Sequence, residues 1–172
     1  MDQLDPEAFL SSAFSYLQVN KVPTEEWLVA ALKRCEDFEQ RAELLSPESG
    51  RLRVPSRLAG LKACLARMLK DWETLEATAK RELEVIRHSP DPDDLIYIHF
   101  LIELFVALFA MDRTDEVKEQ VSCYASTFSV KKLKHGVQLA GHLTHMLDDK
   151  DRDYVMDLLA KALREKMEQG DA

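Results

Sequence analysis

Residues that break regular structure are scarce in this chain. Its 172 residues include only five glycines and six prolines. Sheet proteins need frequent turn residues, whereas glycine and proline here interrupt the chain only roughly every 20 to 40 residues. The composition is 46% hydrophobic and 31% charged, which is ordinary for a globular domain and argues against general disorder. The sequence therefore predicts a helical fold.

Cysteine is also rare, and its three positions are far apart: Cys35, Cys64 and Cys123. Three scattered cysteines are too few for a disulfide framework or a cysteine-based zinc site. Each falls on an apolar helical stripe, where a free cysteine behaves as a small core residue. We therefore expect reduced thiols and a cytoplasmic protein with no cofactor.

No segment has the pattern of a signal peptide or a membrane span. The N-terminus, MDQLDPEAF, is acidic and lacks the basic start and apolar region of a secretory signal. The longest apolar stretch, residues 95–111, is interrupted by His99 and Glu103 and is short for a membrane helix. We expect no membrane partner.

Positive charge is in deficit, with a formal net charge of −8 at pH 7. This balance disfavours nucleic-acid binding, which depends on Lys and Arg neutralising phosphates. Residues 47–88 are net basic, at +3, and residues 129–172 sum to zero. The basic segment contains Arg51, Arg53 and Arg57, which would form either a patch for an acidic partner or a solvated helix face.

Caps and apolar periodicity predict eight helices. Six helices are expected to start after Asp5, at Thr24, after Pro55, at Trp72, at Asp93 or Asp94, and at about Val130. The sixth and eighth helices are expected to have Thr114 and Asp151 as their caps. The second helix has the most regular stripe, running at spacings of three and four from Leu28 to Leu45. The fifth is apolar nearly all round, which is typical of a central helix buried between its neighbours.

Two further helices carry expectations about their core and extent. The first should bury the four apolar residues Leu10, Ala13, Phe14 and Leu17. The seventh should run continuously from about Val130 to Leu147, with its apolar stripe facing inward.

Short and long connections alternate along the chain. Short breaks at 20–23, 70–71, 112–113 and 148–150 each join two helices, and short helix connections imply antiparallel neighbours. The sequence thus predicts an all-α fold of four antiparallel hairpins stacked in order, as a single domain over residues 1–172.

Two segments resemble the tetratricopeptide repeat family. In ALFAMDRTDEVKEQV (107–121) a short turn precedes a D-E pair, with Thr114 in the family's aromatic slot and Val117 in its small-residue slot. In ARMLKDWETLEAT (66–78), Trp72 fills the aromatic slot. The two slots lie 42 residues apart, against a standard repeat of about 34. The resemblance implies a scaffold that holds peptides or partner helices on a helical surface.

Histidines on the seventh helix form the first candidate site. His142, His145 and Asp149 follow one another at spacings of three and four on one predicted face, with His135 two turns earlier. Imidazole and carboxylate groups suit zinc or iron. The set is either a metal site or an exposed polar face.

A second candidate lies inside the apolar fifth helix, where His99 and Glu103 are one turn apart. Ionisable groups are costly to bury unpaired, so each needs a partner. The two residues would form either an acid–base couple in a pocket or a self-satisfying pair in the core.

Trp27 and Trp72 are the third candidate, either as exposed anchors for a partner or as core aromatics at helical spacing. Together these features favour an adaptor that binds another protein or peptide. The alternative is a small all-α enzyme or metal-binding protein that uses the histidines. A homodimer with a structural role is also possible.

Overall fold

A computed structural model describes residues 5–41 and 54–170, with the side chain of Val54 excepted. All regular structure in these ranges is helical, and the fold is all-α as predicted. The α-helices are α1 (Pro6–Val19), α2 (Glu25–Gln40), α3 (Val54–Leu69), α4 (Trp72–Arg87), α5 (Asp94–Ala110), α6 (Thr114–Thr127), α7 (Val130–Leu143) and α8 (Asp149–Glu168).

Side-chain caps start most of these helices where the sequence indicated. The carboxylate of Asp93 accepts hydrogen bonds from the backbone N–H groups of Leu95 and Ile96 at 2.9 and 3.0 Å, and Asp5 and Thr24 cap α1 and α2 in the same way. These contacts satisfy N–H groups that have no partner within the helix.

Two predicted caps are wrong. Thr114 is the first residue of α6, and the cap position belongs to Arg113, whose side chain makes no capping hydrogen bond. At α8 the cap is Asp148, which accepts a hydrogen bond from the N–H of Asp151 at 2.9 Å. The helix therefore starts a turn earlier than the polar run alone suggested.

The chain divides into two compact units, Met1–Thr78 and Ala79–Ala172, and the boundary falls inside α4. In the first unit, α3 packs against both α1 and α2. The core includes Leu10, Cys35, Phe38 and Leu61. The prediction of a single domain over the whole chain stays a prediction.

Phe14 does not belong to the core of the first unit, and its assignment to the buried face of α1 is wrong. Its side chain is 37% exposed, while Leu10 and Ala13 are buried and Leu17 is half-buried. Because each residue turns the helix by about 100°, Phe14 lies at the edge of the stripe that Ala13 occupies. The part of the α2 stripe beyond residue 41, including Leu45, lies outside the described residues.

In the second unit, α5 packs against α6 and α7, and α8 packs against the same two helices. Eleven of the 17 residues of α5 are buried, which confirms its prediction as a central helix. Even so, no helix in the described ranges is both long and apolar enough to cross a membrane.

The seventh helix is shorter than predicted. It ends at Leu143, and a 3-10 helix over Thr144–Met146 replaces its last turn before Asp148 caps α8. The tighter winding of a 3-10 helix changes the direction of each following side chain. Residues 130–147 therefore do not share the continuous helical faces that the sequence suggested.

The turns at residues 70–71 and 111–113 have the same backbone geometry. Lys70 and Asp112 both adopt the left-handed region, with φ of 58° and 57°. The next N–H in each case donates to a carbonyl five residues back, Asp71 to Ala66 at 2.9 Å and Arg113 to Leu108 at 2.8 Å. This is the Schellman arrangement, which ends one helix within two residues and lets the next begin.

Candidate partner-binding surface

Helix α7 has two sharply different faces. Its inner face is buried and is built from Leu133, Gly136 and Ala140. The opposite side, which we call the outward face of α7, consists of exposed residues at one-turn spacing: Lys131, Lys134, His135, Gln138 and His142. This division places most of the charge of the helix on the side away from its neighbours.

A side-chain contact between α6 and α7 fixes which face points inward. The hydroxyl of Tyr124, on α6, lies directly against the backbone of α7 at Gly136, where a Cβ atom would collide with it. Only glycine leaves room for a buried phenol at this point. The contact sets the rotation of α7, and with it the direction of the outward face.

Aromatic rings beneath α7 reinforce this arrangement. The centroids of Tyr97 and Tyr124 are 5.5 Å apart in a stacked pair, and Phe128 packs edge-on to Tyr97 at 5.0 Å. All three side chains are buried. Ring contacts of this kind stabilise a core beyond the area they bury.

Several polar atoms lie within this aromatic region. The hydroxyls of Tyr97 and Tyr124, Oδ2 of Asp94 and Nε of Arg87 are buried and make no hydrogen bond within the described residues. Burial raises the pKa of Tyr97 to about 12, and the nearby Cys123 thiol and Arg87 guanidinium act on it in opposite directions. Burial also raises the pKa of Tyr124. Both phenols are therefore neutral at physiological pH.

One lysine of α7 is used to hold the helix in place. Lys132 donates from Nζ to Oδ1 of Asp91 at 3.0 Å and to the carbonyl of Pro92 at 2.7 Å. The same ammonium group lies 6.0 Å from the centre of the Phe128 ring. These contacts tie the start of α7 to the connection between α4 and α5.

The lysines on the outward face differ from Lys132 in having no such role. Within the described residues, neither Lys131 nor Lys134 forms an ion pair. The sequence of α7 contains no acidic residue that could neutralise them at i±3 or i±4. On α8, by contrast, Arg152 pairs with Asp149 at 2.9 Å and Lys161 with Glu165 at 3.8 Å. The outward face of α7 is a local excess of positive charge in an acidic protein.

The aromatic candidates for partner binding are partly covered by their own unit. Trp27 is half-buried and stacks on Tyr16 of α1, with ring centroids 4.1 Å apart. Trp72 is half-buried at the first position of α4. Neither tryptophan is fully exposed, as an anchor for a partner would be, and neither is fully buried, as a core aromatic would be.

The predicted arginine patch is described only in part. Arg57 lies 3.6 Å from Glu7 of α1 in an ion pair, so its charge is already partly neutralised. Arg51 and Arg53 lie outside the described residues. The grouping of the three arginines into one patch therefore stays a prediction.

The predicted metal ligands lie on three different elements. His142 is in the last turn of α7, His145 is in the 3-10 helix and Asp149 opens α8. Nδ1 of His145 lies 2.6 Å from the carbonyl of His142, and Asp149 pairs with Arg152. Among residues 5–41 and 54–170, no three His, Cys, Asp or Glu side chains are grouped so as to hold a metal ion.

The two residues of the acid–base candidate, His99 and Glu103, differ in how deeply they are buried. Glu103 is buried, at 1% exposure, whereas His99 is half-buried and packs edge-on to Phe100 at 5.6 Å. Both side chains have interactions with other groups, so neither is left without a partner.

Sequence reasoning missed the lysines of the outward face because it considered charge over long segments. Residues 129–172 sum to zero only because residues 148–172, at −3, offset the three lysines of α7. The signal that would have found them is the run from Val130 to Leu147, which contains three lysines, three histidines and no acid. No comparable signal marks the contact between Gly136 and Tyr124, since it joins residues on different helices.

Comparison of the chain with protein-family models, curated proteins and solved structures gives no significant match.

Proposed function

We propose that this protein is an adaptor of helical hairpins, similar to tetratricopeptide repeat proteins, that binds a partner protein through the outward face of α7. The observation that carries the proposal is the set of exposed cations on that face. Charges that the fold does not use for its own stability, held on a rigid helix, are available for a partner.

The repeated turn geometry supports the hairpin part of the proposal. The α3–α4 and α5–α6 connections each contain one residue in the left-handed region. In each, the next N–H donates to a carbonyl five residues back. Packing between alternate helices, α1 with α3 and α5 with α7, is what stacked hairpins produce within each unit. The left-handed residues of the two turns, Lys70 and Asp112, lie 42 residues apart, the same interval as that between Trp72 and Thr114.

The compartment and partner class follow from composition. Cys35, Cys64 and Cys123 are all free thiols, which supports a reducing environment such as the cytoplasm. A net charge of −8 favours a protein partner over nucleic acid or an anionic membrane. A homodimer is the alternative assembly, and light scattering distinguishes it from a hetero-complex.

Site-specific photo-crosslinking tests the adaptor function. A photoreactive phenylalanine analogue at Gln138, an exposed and uncharged position on the outward face, should form a discrete adduct with a partner in cell lysate. The control places the same analogue at Ser122, an exposed position on α6. Absence of a specific adduct at Gln138, or the same adduct at Gln138 and at Ser122, would contradict the proposed function.

The alternative function, an enzyme or metal-binding protein, has one observation in its favour. Glu103 is buried inside an apolar helix with His99 one turn away, which are the residue types and the spacing of an acid–base couple. Elemental analysis after incubation with zinc and iron checks the metal-binding form of this alternative. Stoichiometric metal that is lost in a His142→Ala, His145→Ala variant would support it.

A further inference from the structure

We infer that the outward face of α7 docks an acidic helix of a partner protein, an inference that rests on the proposed function and specifies its partner. The face presents ammonium and imidazole groups with no carboxylate among them. Such a surface attracts carboxylates and repels basic segments, so its electrostatics select the sign of the partner.

The spacing of the exposed polar side chains favours a helical partner. Lys131, Lys134 or His135, Gln138 and His142 mark successive turns of α7, over about 16 Å of helix axis, with the two ammonium groups in its first turn and imidazole and amide groups beyond. Glu or Asp residues at i, i+3 or i+4, and i+7 on a second helix repeat at the same distance of about 5.4 Å per turn. Alternate side chains of an extended peptide repeat at about 6.6 Å, so their carboxylates drift out of register along the face.

The character of the face also predicts the strength of the contact. Its exposed positions carry charged, imidazole, amide or glycine groups and no large apolar side chain, in contrast to Val85 and Leu95, which are exposed elsewhere in the same unit. Interfaces without a buried apolar anchor depend on electrostatic attraction, which salt screens. We therefore expect rapid, reversible and salt-sensitive binding.

A protein helix fits this face better than a polyphosphate does. Nucleic-acid affinity grows with the number of phosphates neutralised, and two lysines on a protein with net charge −8 offer few such contacts. A surface this small matches the few carboxylates on one face of a helix. Binding to duplex DNA or to anionic vesicles is therefore a competing outcome of the test.

The experiment compares two double charge reversals that change the net charge equally. Lys131→Glu with Lys134→Glu reverses the outward face of α7. Lys118→Glu with Arg164→Glu reverses two exposed cations on α6 and α8. Circular dichroism and urea unfolding of the full chain establish that both variants are folded. Lys131→Gln with Lys134→Gln gives a milder version that removes charge without introducing repulsion.

The probe is a fluorescent helical peptide with glutamates along one face, measured by anisotropy against the full-length protein. A matched peptide with glutamine at those positions is the control. We expect the α7 reversal to weaken binding of the acidic peptide by about tenfold or more, and the α6–α8 reversal to change it by less than about threefold. Raising the salt from low to physiological levels should weaken binding by the wild-type protein.

Three results would overturn the inference. They are equal losses in the two reversal variants, equal binding of the glutamate and glutamine peptides, and tighter binding to duplex DNA or phosphatidylserine vesicles than to the acidic peptide. If any of these occurs while the specific crosslink at Gln138 still forms, the partner chemistry is wrong and the adaptor function stands. If the crosslink at Gln138 also fails, the proposed function itself is wrong.

Discussion

Helices α5 and α7 lie side by side in the second unit, yet they are built in opposite ways. Eleven of the 17 residues of α5 are buried, and its one acid, beyond Asp94 at its start, is inside the core. Helix α7 buries three residues on one face and exposes Lys131 and Lys134 on the other. One helix serves to build the core and the other to present a surface.

The difference between α5 and α7 shows that burial determines whether a charged side chain is available to another molecule. Glu103, at 1% exposure on α5, has lost most of its water and must be satisfied by the protein itself. Lys131 and Lys134 on α7 remain hydrated, so they cost the fold little and stay available to another molecule. Charge therefore indicates a partner surface only where it is exposed and unpaired.

The first prediction tests whether α5 forms the core of the second unit. Phe105 is fully buried at the middle of α5, and Phe105→Ala should lower the free energy of unfolding by about 3–5 kcal/mol. The loss combines the transfer free energy of the ring with the cavity left in the core. Urea unfolding followed by circular dichroism measures it.

The matched control is on the same helix. Leu95 is 50% exposed, so Leu95→Ala should cost less than about 1 kcal/mol. Similar losses at the two positions would show that α5 is not the central element of its unit.

The second prediction concerns the contact that fixes the rotation of α7. Gly136→Ala forces a methyl group against the Tyr124 hydroxyl and should cost about 1–3 kcal/mol, although alanine is the better helix former by about 1 kcal/mol. Tyr124→Phe removes that hydroxyl, which has no hydrogen bond in the described residues, and should be close to neutral.

A double-mutant cycle with the same two substitutions isolates the contact. Adding Tyr124→Phe to Gly136→Ala should recover part of the lost stability, because the nearest colliding atom is gone. Strictly additive losses would mean that Gly136 matters for another reason. Gly141→Ala, where an added Cβ meets nothing within 4 Å, is the control for helix propensity.

The all-α class and most helix positions were predictable because they depend on local signals. The apolar periodicity of α2, the cap at Asp93 and the apolar run of α5 are each written in neighbouring residues. Errors arose where two local signals competed. Phe14 is apolar but lies at the edge of its stripe, and both Asp148 and Asp151 are good caps, so only the packed chain selects between them.

The candidate site was predictable only in its composition. The lack of acids along α7 is visible in the sequence, but which lysines are exposed depends on the rotation set by Gly136 and Tyr124. Lys132 illustrates the limit, since it lies between Lys131 and Leu133 in the sequence and differs from Lys131 in binding Asp91 and Pro92. Contacts between residues about 40 apart in the chain carry no local signal.

The third prediction uses pH to probe the aromatic core under α7. The pKa of Tyr97 is about 12 in the folded protein, against 10.0 for an ordinary tyrosine. Between these values the unfolded chain loses the phenol proton and the folded protein keeps it, so stability falls as pH rises from about 10 to 12. One such group contributes at most about 1.4 kcal/mol per pH unit, and none below pH 10, where both states are protonated.

Urea unfolding at a series of alkaline pH values checks this slope. Tyr97→Phe should flatten the pH dependence relative to the wild-type protein, since it removes one of the two buried phenols. Tyr154→Phe, at a half-buried ring on α8, is the matched control. An unchanged slope in Tyr97→Phe would show that Tyr97 is accessible to water.

The fourth prediction compares the stability contributions of the three lysines of α7. Lys131→Ala combined with Lys134→Ala should change the free energy of unfolding by less than about 0.5 kcal/mol, as expected for exposed side chains without ion pairs in the described residues. Lys132→Ala should cost more, about 1 kcal/mol, because it removes hydrogen bonds to Asp91 and to the Pro92 carbonyl. Urea unfolding of the two variants in parallel gives both numbers. If the double substitution proves as costly as Lys132→Ala, Lys131 and Lys134 stabilise the fold. Their charge then no longer supports a partner-binding role for the outward face of α7.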